Sequence, residues 1–230
     1  MKFPMRHKNG DKPVENKEEI PVEKKVEDVD DADFQSFFGD VLKRLPNPAV
    51  KIITKTSTAT KKRAEILLAS TRERFDGVFA DFLTDVDLTT RKKAHRIIHM
   101  AALSAAIIGL SPIPFSDAIL LVPVQLVMMA RLYKLFGQSW SEGIAKSITK
   151  ELVVVSFGRS AVGNVLKFIP VAGTISGGAV NAVVAIAITE SLGWVTVKML
   201  YDGEDMFEQV MSFKGQFNTL FKALQSTGKK

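Results

Sequence analysis

The stretch from Ile97 to Ala130, IIHMAALSAAIIGLSPIPFSDAILLVPVQLVMMA, constrains this chain more than any other: two apolar halves meet at a proline-rich bend, and Asp117 is the one acid inside them. Each half is longer than a usual strand and shorter than a comfortable membrane span, so the residues fit a buried helical hairpin or a membrane hairpin. The bend has local causes. Pro112 and Pro114 push Ser111 and Ile113 into extended backbone and cannot continue a helix. Ser116 or Asp117 can then cap the helix that follows, which gives the lone carboxylate a structural task before any catalytic one.

Cations flank this hairpin. Arg91, Lys92, Lys93 and Arg96 precede it and Arg131 and Lys134 follow it, an arrangement that would keep both ends of an inserted hairpin cytoplasmic. Tyr133 and Trp140 stand where interfacial aromatics would. A second apolar stretch, Ile169 to Thr189, contains no charged residue and reaches the spanning length, although Pro170, Asn181 and its glycines weaken it as an ordinary transmembrane helix. Within it Gly173 and Gly177 form a GxxxG pair that Gly178 and Ala182 extend, a surface on which another helix can approach closely. Pro114 and Gly137 stand 23 residues apart, as do Pro170 and Gly193, which points to a weak duplication of a helix–bend–helix unit.

The flanking segments are of another kind. Residues 1–31 alternate Lys with Glu and Asp, include three prolines and offer few apolar side chains to offset ordering entropy, so a disordered charged tail is expected there. Residues 32–90 read as amphipathic, partly basic helices. Phe34, Phe37, Phe38, Val41, Leu42 and Leu45 draw one stripe that Pro46 and Pro48 end. A second helix is expected from Ala49 to Val86, with Ile66, Phe75, Phe79, Phe82 and Val86 on its apolar side and a break at the threonine-rich TKTSTATKK. Residues 91–202 form the apolar hairpin domain. Residues 203–230 complete the chain with an amphipathic helix carrying Phe213, Phe217, Leu220, Phe221 and Leu224, suited to capping a bundle, lying in a membrane interface or docking on a partner.

Chemistry is sparse. The chain has no cysteine, which excludes disulfides and thiolate metal sites. His95 and His99 lie four apart, but two histidines without a third ligand fall short of a metal site, and HRIIH is not HExxH. Ser160 in GRSAVG does not fit a nucleophile elbow. There is no GxxxxGK[ST] or GxGxxG, so the chain is not expected to bind nucleotide by itself. Gln125, Asn181 and Glu190 are candidate interior polar groups, with interhelical hydrogen bonding the plainer role. No cofactor and no enzymatic activity are expected. The net charge of +6 is concentrated in Lys51, Lys55, Lys61, Lys62, Arg63, Arg72 and Arg74, which suit anionic lipid better than nucleic acid because no aromatic residues are interleaved with them. The start MKFPMRHKNGDK lacks the apolar run of a signal peptide, so the cytoplasmic face of a membrane is the expected location.

SPIPFSDAILLVPVQLVMMARLYKLFG together with KFIPVAGTISGGAVNAVVAIAITESLGW resembles the YcjF-like helical family of unknown function over about residues 94–201. The marks are PIP-x-x-D with Gln125, Met128 and Gly137, and IP-x-x-G-T-x-x-G-G-x-x-N with Thr189 and Gly193. The resemblance implies a helical module, frequently assigned to membranes, that accompanies a small GTPase and transfers no catalytic residue. Without GTPase motifs here, that GTPase would be a separate chain. The fold expected is all-α, with packed helical hairpins behind the charged tail. Two readings stay open: a non-enzymatic membrane-associated interaction module, or a soluble scaffold that buries the same hairpins in its own core. A homo-oligomer is compatible with either.

Overall fold

The apolar stripes are realised as helix throughout the residues that the computed structural model describes, which are 31–113, 120–146, 177–204 and 209–227. Six long helices carry these residues: α1 (Asp31–Leu42), α2 (Asn47–Phe82), α3 (Leu88–Leu110), α4 (Val122–Leu135), α5 (Gly177–Tyr201) and α6 (Val210–Thr227). Among the described residues there is no strand, and the fold is all-α. Residues 1–30 of the charged leader, Pro114, Ser116, Asp117, Gly158, Ser160, Pro170 and Gly173 lie outside the described residues, while Asp31, expected to end the leader, opens α1.

Helices α3 and α5 pack most extensively on each other and form the centre. Helix α2 lies against both, α4 closes another side, α1 straps α3 to α4, and α6 covers α5 and α2. Helix α5 is apolar on every side, as a helix enclosed by others must be. Gly178–Tyr201 is long and apolar enough to cross a membrane, yet 83% of its most apolar window is buried inside this bundle. The described part of the second apolar stretch thus runs past Thr189, through Glu190, to Tyr201.

Local chemistry sets the helix ends. Ser111 is extended at φ −72° and ψ 136°, the conformation that Pro112 imposes on its predecessor. Asp87 caps α3 by accepting hydrogen bonds from the Thr89 and Thr90 amides, each at 2.9 Å. Gly137, at φ 69°, ends α4 in a left-handed turn in which the Gln138 amide reaches back to the Tyr133 carbonyl at 2.9 Å.

Several sequence expectations are corrected. Helix α2 runs unbroken through the threonine-rich segment because Thr56 and Thr60 donate to the carbonyls of Ile52 and Thr56, each at 3.0 Å, and so satisfy their hydroxyls within the helix. Ile66 is 61% exposed, since Ala64 and Leu68 occupy the interior positions beside it. Tyr133 is buried and packs edge-on against Trp140, with ring centroids 5.1 Å apart. The two glycines of the suspected repeat differ in role: Gly137 stops a helix, whereas Gly193 lies inside α5 against Ile98. The C-terminal stripe needs no outside surface, because Phe213, Phe217, Leu220, Phe221 and Leu224 are all buried in the bundle.

Two of the hairpin's flanking cations, Arg96 and Arg131, pair with acids of α1, as does Lys61 of α2. Arg131 pairs with Asp40 at 3.0 Å and lies over the Phe37 ring, Arg96 meets Asp33 at 3.6 Å, and Lys61 meets Asp31 at 2.6 Å. The acids of α1 thereby tie this helix across the cationic ends of α3 and α4. The Arg131 hydrogen bond is the main reason that the Asp40 carboxyl titrates below the ordinary range.

Candidate functional site

Spacing first brings polar groups to the junction of α2, α3 and α5. Leu68, Arg72, Phe75 and Phe79 follow one another at four, three and four residues, so Arg72 falls on the same helical face as three buried apolar side chains. His95 and His99 share a face of α3 for the same reason, and Glu190 and Trp194 a face of α5. These faces meet.

Arg72 bridges the two histidines: one guanidinium nitrogen contacts His95 Nε2 and the other lies 3.3 Å from His99 Nδ1. A guanidinium only donates, so both ring atoms are acceptors, which places the ring proton on Nδ1 of His95 and on Nε2 of His99. Burial, followed by the Arg72 charge, lowers the His95 pKa to about 4 and the His99 pKa to about 3. Both rings are therefore neutral near pH 7. Trp194 packs 6.2 Å from His95 and 6.1 Å from Phe79, which closes the inner side of the cluster.

Glu190 is 3% exposed and within electrostatic reach of Arg72 and Asp76. Burial outweighs the attraction of Arg72 and raises its pKa to about 8, so the carboxyl is mainly protonated at neutral pH. Its Oε2 has no hydrogen-bond partner among the described residues. The cluster is a poor cation site, since the guanidinium occupies the side of the histidines that a metal would need, and no metal-holding group of three ligands occurs among the described residues.

Outside the junction, Gln125 on α4 is fully buried with neither amide atom partnered among the described residues, and the Thr189 hydroxyl on α5 is likewise unpartnered. Asn181, expected in the interior, is exposed; its neighbour Ala182 takes the position that faces α3. The described part of the small-residue surface, Gly178 and Ala182, packs closely on α3. A Cβ on Gly178 would meet the Leu110 carbonyl at 3.6 Å, and Ala182 lies against Gly109. Sequence reasoning passed over Gly109 and Trp194 and placed Arg72 on the basic face of α2, whereas it turns to the histidines. The signal for Arg72 was a cation on an apolar stripe; Gly109 had none, because a lone glycine near a helix end reads first as a stop signal.

A bundle whose most apolar helix is enclosed by its neighbours, with a neutral histidine pair and a protonated acid held around one arginine, defines a class of helical domain rather than a reaction. The chain belongs to the family described as Domain of unknown function (DUF697), whose match covers residues 78–225. That range takes in α3 to α5 and all but the last two residues of α6, and extends beyond residues 94–201. Magnetosome membrane protein 22 of Magnetospirillum gryphiswaldense is 32% identical over 112 residues, which are 47% of this chain and 56% of that protein. The chain thus spans little more than half the length of this relative. No solved structure matches the chain.

Proposed function

We propose that this chain is a non-enzymatic, membrane-associated helical interaction module that attaches as a folded bundle. The observation that carries this reading is the outer face of α2, where Lys51, Lys55 and Lys62 recur at four and seven residues and are all exposed, with Ile66 exposed one turn further on. Such a face attracts an anionic bilayer at about 1 kcal/mol per cation near the surface. The relative named a membrane protein supports the location. Because α3 and α5 are already enclosed by protein, attachment leaves the core intact. The finer role, adaptor to a separately encoded small GTPase, rests on the YcjF-like resemblance and on the lack of a phosphate loop in this chain.

Vesicle flotation tests the attachment. The protein is expected to float with vesicles rich in anionic lipid at low salt, to release at high salt, and to lose binding when Lys51, Lys55 and Lys62 are all changed to Glu. Failure to bind anionic vesicles would favour the second reading, a soluble scaffold, for which the enclosure of α5 speaks. For the adaptor role, a neighbouring GTPase should co-purify with this chain, while the isolated chain shows no GTP binding by calorimetry.

A further inference from the structure

A shallow cleft of about 210 Å³ opens beside the histidine pair, lined by Arg72, Arg91, Lys92, His95 and Trp194. Its lining contains three cationic side chains and no acid. Several cations elsewhere on α2, α3, α4 and α5 are paired with acids, as Lys61 is with Asp31, Arg96 with Asp33, Arg131 with Asp40 and Lys198 with Asp202. No ion pair joins Arg72, Arg91 or Lys92 to a described residue. Each also keeps donors free. Arg91 is fixed by its bonds to the Val86 and Thr84 carbonyls, at 2.7 and 3.1 Å, and Arg72 by the two imidazoles. Each guanidinium has five N–H groups, so both retain donors beyond those anchoring bonds, and Lys92 is exposed at the rim.

We propose that this cleft binds a phosphate group, with Arg72 and Arg91 as prepositioned forks and Lys92 as a mobile third donor. Guanidinium forks match the oxygens of phosphate in geometry as well as charge. The volume lies below the roughly 300–1,000 Å³ of pockets for drug-sized ligands, so it suits an inorganic phosphate or a lipid headgroup phosphate and not a nucleotide. This site is separate from the Lys51–Lys62 face and does not depend on it.

Trp194 supplies the readout. In a Trp140→Phe background it is the chain's remaining tryptophan, and its emission is followed while inorganic phosphate, phosphatidylcholine vesicles or phosphatidylcholine vesicles containing phosphatidic acid are added. A saturable change with inorganic phosphate, weakened at least about tenfold by Lys92→Glu and unaffected by Lys51→Glu, supports the site with a free anion as ligand. A change with phosphatidic acid vesicles alone that Lys92→Glu abolishes even at lipid concentrations where flotation shows the variant fully vesicle-bound supports it with a lipid headgroup as ligand. No change with either probe, a response to inorganic phosphate lost equally in the two lysine variants, or a vesicle response that Lys92→Glu leaves intact overturns the proposal. Vesicle flotation that survives Lys92→Glu without a Trp194 response would leave the attachment through α2 standing and remove the cleft.

Discussion

A Cβ placed on Gly109 of α3 would lie 2.8 Å from the Cα of Ala182 on α5, so the two central helices meet main chain to main chain. Main chain cannot swing aside as a side chain can. Gly109→Ala should therefore destabilise the protein by about 1–3 kcal/mol, the usual range for overpacking. Gly77, inside α2 with open space where its Cβ would be, should respond oppositely and gain about 0.5–1 kcal/mol on change to Ala. Urea unfolding of both variants checks the pair. Equal stability of Gly109→Ala and the unaltered protein would refute the close approach.

The stripes of α1 and α6 were legible because every buried position recurs at helical spacing and the opposite face is polar. Helix α5 was harder. An all-round apolar segment has no face to read, so its surroundings, lipid or protein, are fixed only by the helices that enclose it. The junction was legible in part: the spacing of His95 and His99 puts them on one face, but the arginine that organises them comes from another helix 23 residues away. Asn181 shows the reverse failure, since polarity within an apolar run says nothing of which side of the helix it occupies.

The cluster around Arg72 sets a pH dependence whose sign can be worked out. Between about pH 4.5 and 6.5 the unfolded chain holds protons on both histidines but not on Glu190, whereas the folded chain holds one on Glu190 only. The unfolded state then binds one more proton, and this cluster's contribution to stability rises with pH by about 1.4 kcal/mol per unit. From about pH 6.5 to 8 the unfolded chain holds none of these protons and the folded chain still holds that of Glu190, so the contribution falls with pH. It peaks near pH 6.5. Glu190→Gln should abolish the fall on the alkaline side and steepen the rise on the acid side. Chemical denaturation at several pH values checks this, and parallel profiles for the variant and the unaltered protein would contradict a protonated Glu190 in the fold.

The Arg131–Asp40 pair joins α4 to α1 while remaining partly open to solvent, with side chains 27% and 40% exposed. Its worth should be modest. A double-mutant cycle with Arg131→Met and Asp40→Asn is expected to give a coupling of about 0.2–1 kcal/mol that shrinks in high salt. Because Asp40 titrates low in the folded chain, its contribution is present above the ordinary carboxylate pKa and is lost as pH falls through the lowered folded value. A coupling insensitive to salt would argue against this ion pair.

Hydrogen exchange on detergent-free protein tests most directly whether the apolar helices are enclosed by protein and not by lipid. If they are, the chain stays monodisperse without detergent, and the amides of residues 178–201 in α5 exchange among the slowest, since their opening requires loss of the whole core. Aggregation without detergent, or fast exchange along α5 that slows only when lipid is added, would contradict the enclosed bundle.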